Sequence, residues 1–169
     1  MIKALQLKEA LKESVAPCYI VKGGDSYLAA RAQKAFRDLI LPDYADFNFS
    51  VMNAQSPQDV VDALMTLPVF DERKVVLVKD SGEKIADAGL RIIEEYLKAP
   101  NPSSVLVIVS EGDAFRALEK RAETVDCSKL FESEILGEIN ALLELPPARS
   151  MEENAKHVLI SYCGGDMSR

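Results

Sequence analysis

Val75-Val76-Leu77-Val78 is a run of four apolar residues, with Lys74 before it and Lys79 after it. A strand with one wet face alternates apolar and polar residues. A strand with no alternation is covered on both faces, as in a parallel sheet with helices on either side. Val105-Leu106-Val107-Ile108-Val109 repeats the pattern thirty residues on. Both runs are too short for helices of ordinary length and are rich in β-branched residues, so both read as central strands.

Upstream, Cys18-Tyr19-Ile20-Val21-Lys22 follows Pro17 and reads as another buried strand. Gly23-Gly24 then turns the chain, and Asp25 is placed to cap a helix reaching about Ile40, with Leu28, Ala32, Ala35, Phe36 and Leu39 inward. Before it, Leu5, Leu7, Ala10 and Leu11 recur at helical spacing, which predicts a helix from Lys3 to Ser14. Phe47, Phe49 and Val51 alternate with polar residues and predict a strand with one covered face. Ser56-Pro57 suggests an N-cap with proline at the first helical position, opening a helix that reaches about Thr66 through Val60, Val61, Leu64 and Met65.

Downstream, a helix is expected from about Ile85 to Lys98, with Leu90, Ile93, Tyr96 and Leu97 inward. A short helix is expected over Ala114 to Lys120, and a last strand at Thr124-Val125-Asp126-Cys127. A helix carrying Ile135, Leu136, Ile139, Leu142 and Leu143 follows. Strands separated by helices imply an α/β domain with a five-stranded, mostly parallel sheet flanked by helices on both faces. Leu145-Pro146-Pro147-Ala148 reads as a linker, dividing the chain into 1–145 and 146–169. Ser150 and Glu153 have capping-box spacing and would open a helix ending at Gly164-Gly165, with Ala155, Val158, Leu159 and Tyr162 on one side. One such helix is not a stable domain, so the tail is expected either to belong to something longer or to pack back on the core.

The chain has 169 residues, 48% hydrophobic and 28% charged, with a net charge of −7. That is the composition of a globular domain. The acidic balance and dispersed basic residues disfavour direct binding to nucleic acid, which requires clustered cations against phosphates. No segment approaches the roughly 18 to 20 apolar residues of a membrane span, and Met1-Ile2-Lys3-Ala4-Leu5 does not read as a signal peptide. Cys18, Cys127 and Cys163 are widely spaced, which suggests neither a disulfide framework nor a zinc site and fits a cytoplasmic setting.

Little in the sequence points to catalysis. Gly23-Gly24-Asp25-Ser26-Tyr27-Leu28 lacks the Lys-Ser or Lys-Thr of a nucleoside-triphosphate loop and the third glycine of a dinucleotide fingerprint. Asp25 would also repel a phosphate. Lys79-Asp80-Ser81-Gly82 offers a single carboxylate at a strand end, where an ATPase needs metal-holding acids. His157 is the only histidine and reads as a surface residue. Cys18 and Cys127 read as buried thiols. No cofactor or metal is expected. A nucleotide-binding or phosphoryl-transfer domain built on the Gly23-Gly24 turn is the alternative.

Leu67-Pro68-Val69-Phe70 is harder to absorb into a core. Proline ends the preceding helix and sends Val69 and Phe70 into a loop just before the charged stretch Asp71-Glu72-Arg73-Lys74. The two apolar residues either fold back under the sheet or stand out as a wedge for another protein. Residue types leave both readings open.

Several segments, taken in order, resemble the delta subunit of the bacterial clamp loader, a component of the DNA polymerase III holoenzyme. These are Tyr19-Ile20-Val21 with Gly24-Asp25-Ser26-Tyr27-Leu28, Asp46 to Val51, Leu64 to Val78, Pro102 to Val109, Val125-Asp126-Cys127 and Cys163-Gly164-Gly165-Asp166-Met167. The block Leu-Pro-x-Phe-x-x-Arg-Lys ahead of a hydrophobic strand is the most specific of them, and the resemblance covers nearly the whole chain. It implies an AAA+ domain without a functional nucleotide loop over 1–145, and a linker with the first helix of a lid domain over 146–169. It also implies that Leu67, Val69 and Phe70 enter a hydrophobic pocket on the sliding clamp and help to open it, with no reaction catalysed by this chain. Contacts with the other loader subunits (gamma/tau and delta prime) would run mainly through a C-terminal collar absent from this sequence, and DNA would be met only indirectly.

Overall fold

The two apolar runs do become the middle of a sheet, because each offers a greasy side chain to both faces at every step. The computed structural model describes residues 1–80 and 86–163. Its strands are Ile2–Lys3 (β1), Cys18–Lys22 (β2), Phe49–Asn53 (β3), Lys74–Lys79 (β4), Ser104–Val109 (β5) and Glu123–Asp126 (β6). Its helices are Leu7–Glu13 (α1), Ser26–Arg37 (α2), Ala45–Asn48 (α3), Pro57–Met65 (α4), Asp87–Tyr96 (α5), Glu132–Glu144 (α6) and Glu153–Cys163 (α7). The sheet order is β1-β6-β2-β5-β4-β3, and every pairing is parallel.

Alternate residues of the central strands build two cores. Tyr19, Val21, Val75, Leu77, Val105 and Val107 point to one face, where Leu7, Leu11, Leu28, Ala32 and Phe36 cover them. Cys18, Ile20, Val76, Val78, Leu106 and Ile108 point to the other, under Val60, Leu64, Ile93, Tyr96, Phe115 and Leu118. The period of two along each strand therefore sorts one continuous apolar run into two separate packing layers.

The α/β class and helix-flanked parallel sheet agree with the sequence, while several details differ. The sheet has six strands where five were expected. Ile2 and Lys3 pair with Val125 and Asp126, so the first helix starts at Leu7 after a 3-10 turn over Ala4–Gln6. A strand of two residues has no periodicity to read. Residues 45–48 form a short helix, and Phe47 and Val51 are exposed while Phe49 is half-buried. Phe47 falls in that helix, ahead of β3, and β3 itself is the edge strand of the sheet; there the Arg37 guanidinium lies 5.5 Å from the centre of the Phe49 ring.

Pro57 does open α4, but the Ser56 side chain makes no capping bond. The short helix expected near Ala114 is a 3-10 helix over Arg116–Arg121. Helix α7 begins at Glu153, with the Lys156 N–H bonded to the Glu152 carbonyl; a Ser150 cap would have begun it earlier. Ser81, Gly82 and Ile85 lie outside the described residues, as do Gly164, Gly165, Asp166 and Met167.

Candidate protein-binding site

Helix α4 carries the chain to the loop at 66–73, and its end is held from several sides. Its last turn leaves carbonyl groups without helical partners. The Leu64 carbonyl accepts from Asn101 Nδ2 at 3.0 Å and from Ser104 Oγ at 2.7 Å. Thr66 Oγ1 donates to the Ala63 carbonyl at 2.7 Å, and Lys74 Nζ reaches Thr66 Oγ1 across the base of the loop. Burial holds the Lys74 amine below its ordinary pKa.

Above this base the apolar residues are turned outward. Leu67 is 75% exposed, Val69 41% and Phe70 81%. The sequence left open whether this pair folds under the sheet, and Phe70 does not. Phe70 also sits at φ +53°, in the left-handed region that non-glycine residues rarely occupy. Its ring lies against that of Tyr44, with centroids 5.8 Å apart and planes tilted by 40°. A large apolar group in an unfavourable backbone conformation gains little from burial within its own chain, so stability alone does not account for it.

Two contacts fix the backbone on either side of Phe70. The buried Asn48 side chain accepts from the Val69 N–H at 2.7 Å and donates to the Val69 carbonyl at 2.8 Å. The Asp71 carboxylate accepts from the Leu41 N–H at 2.8 Å and from its own neighbour, the Glu72 N–H, at 2.7 Å. The three residues expected from sequence, Leu67, Val69 and Phe70, thus share one loop, and Leu41, Tyr44 and Asn48 support it. Sequence reasoning missed these three because Asn48 is 21 residues from its partner and nothing local to it signals that contact.

The Gly23-Gly24 turn is built differently. Gly23 has φ +128°, and a Cβ there would lie 2.2 Å from the Cys127 carbonyl carbon. Asp25 is buried and accepts the Leu28 N–H at 2.9 Å, while its own N–H donates to the Cys127 carbonyl at 3.2 Å. A carboxylate of the chain itself therefore occupies the N-terminus of α2, the position where a phosphate would bind. Lys22 is bonded to Glu119 and, at 3.4 Å, to Asp113. At the end of β4, Asp80 accepts from Ser110 Oγ at 2.6 Å. Burial pushes the Cys18 and Cys127 thiols up to about 12. His157 is exposed beside Glu132, with Nδ1 at 2.7 Å. Among the described residues no group of three His, Cys, Asp or Glu could hold a metal ion, and no helix is long and apolar enough to cross a membrane.

Comparisons with known proteins bear on the family and the fold. The family model described as DNA polymerase III, delta subunit, matches residues 19–136. Among solved structures, the chain is similar to a DNA clamp loader delta protein of Bacillus subtilis, with a TM-score of 0.74 and 22% identity over 98% of this chain and 54% of that one. It is also similar to a DNA polymerase III gamma subunit-related protein of Thermotoga maritima, with a TM-score of 0.56 and 16% identity over 86% of this chain and 54% of that one. At these identities the likeness shows the fold, and the chain spans about half the length of either structure. A comparison with curated proteins finds no match.

Proposed function

Since the chain belongs to the DNA polymerase III delta subunit family, we propose that it serves clamp loading as a gripping module, inserting Leu67, Val69 and Phe70 into an apolar pocket of the sliding clamp. The observation that carries this reading is Phe70 itself, 81% exposed at the tip of a loop whose neighbours are pinned. An aromatic anchor that fills a partner's pocket contributes roughly 1.5 to 3 kcal/mol. A bound wedge opens a ring only by favouring the open form over the closed one, so its work is differential binding and needs no chemistry here. Nucleotide turnover belongs to partner subunits, in keeping with the internally occupied N-terminus of α2. Residues 1–145 carry the grip and 146–169 begin the lid, a reading supported by the exposed Val158 and Tyr162 on α7.

The direct test is affinity of the 169-residue chain for a purified sliding clamp. Phe70→Ala is expected to weaken binding by at least about 1 kcal/mol, or roughly fivefold, with an unchanged circular dichroism spectrum. A folded variant that binds as tightly as the parent would refute the wedge.

A further inference from the structure

Asn48 is a costly residue to bury, because an amide removed from water must recover its hydrogen bonds. Both of its bonds go to one residue, Val69, in a loop whose apolar tips remain in solvent. Asp71, on the far side of Phe70, ties the chain to the Leu41 N–H. The two ties reach the same segment, residues 41–48, from the positions immediately before and after the aromatic residue. Between them Phe70 is held at φ +53°, where an untethered loop would spend little time.

We propose that Asn48 and Asp71 are positioning residues that hold the Phe70 ring in its binding arrangement before the partner arrives. This rests on the clamp-binding reading above. Its physical content is that a loop already ordered does not lose that freedom on binding. If removing one tie lets the competent arrangement fall to a tenth of the population, apparent affinity falls about tenfold although no contact with the partner is lost.

The test is a pair of double-mutant cycles, again with the 169-residue chain and the sliding clamp. Asn48→Ala and Asp71→Ala are each expected to weaken binding about five- to tenfold when Phe70 is present. The same changes should alter affinity less than about twofold in a Phe70→Ala background, because nothing is left to position. Asp71→Asn is expected to recover only part of the loss, since its single amide oxygen can accept from Leu41 while its NH2 group then faces the Glu72 N–H. Equal losses with and without Phe70, or wild-type affinity in folded single variants, would overturn the assignment. Should Asn48→Ala fail to fold, Asp71→Ala, on a half-buried side chain, decides the matter. If Phe70→Ala alone leaves affinity unchanged, the clamp-binding reading fails first and the positioning roles fall with it; if it weakens binding while both tie variants bind normally, only the positioning roles fall.

Discussion

The turn after β2 and the loop before β4 lie at opposite ends of one parallel sheet, and they are built on opposite principles. At the carboxyl ends of the strands, where open α/β sheets usually take their ligands, Gly23, Asp25 and Cys127 satisfy one another. At the amino ends, apolar side chains face water and a phenylalanine adopts a backbone conformation suited to glycine. In the first region the unusual φ belongs to a glycine and permits close packing. In the second it belongs to an aromatic residue and produces projection. The same backbone irregularity packs the chain at one end and projects a side chain into solvent at the other.

The largest effect that could break this contrast is at Gly23. Gly23→Ala would drive a methyl group into the Cys127 backbone at a positive φ, and is expected to lower stability by roughly 2–4 kcal/mol. Urea unfolding would measure it; a tolerated alanine would mean that the turn has room for a ligand after all. At the other end the sign reverses. Phe70→Gly is expected to be more stable than Phe70→Ala by about 0.5–1 kcal/mol, because glycine accepts the left-handed conformation that alanine resists. Equal melting temperatures for the two variants would remove strain from the description of the loop.

The smallest effect concerns acid. Asp126, at the end of β6, is held below the ordinary carboxylate range, chiefly by hydrogen bonds from Ser128, with its backbone N–H at 2.9 Å. A depressed folded pKa means a contribution that is complete above the unfolded value, near about 4, and is lost as pH falls through the lower folded value. Asp126→Asn is expected to flatten the acid limb of a stability–pH curve below about pH 4, by less than about 1 kcal/mol because solvent screens this partly exposed group.

The sheet was legible because β4 and β5 are apolar at every position, a pattern that one-sided burial does not produce. The cap at Asp25 was legible because it acts three residues away. What escaped the sequence depends on distant partners. Ile2 and Lys3 become a strand through pairing with β6, and Val51 on the edge strand β3 is left exposed, with no distant element packed over it that the local pattern could announce. The loop was half legible. Val69 and Phe70 could be named from the proline and the charged run, and Leu67 through the family resemblance, but the ties to Asn48 and Leu41 span 21 and 30 residues and leave no local signal.

The double grip on the Leu64 carbonyl by Asn101 and Ser104 has a mechanical side. Helix α4 cannot swing at its tip without dragging the entrance of β5, a strand in the interior of the sheet. The loop that follows α4 therefore leaves the helix from a point anchored to the centre of the sheet.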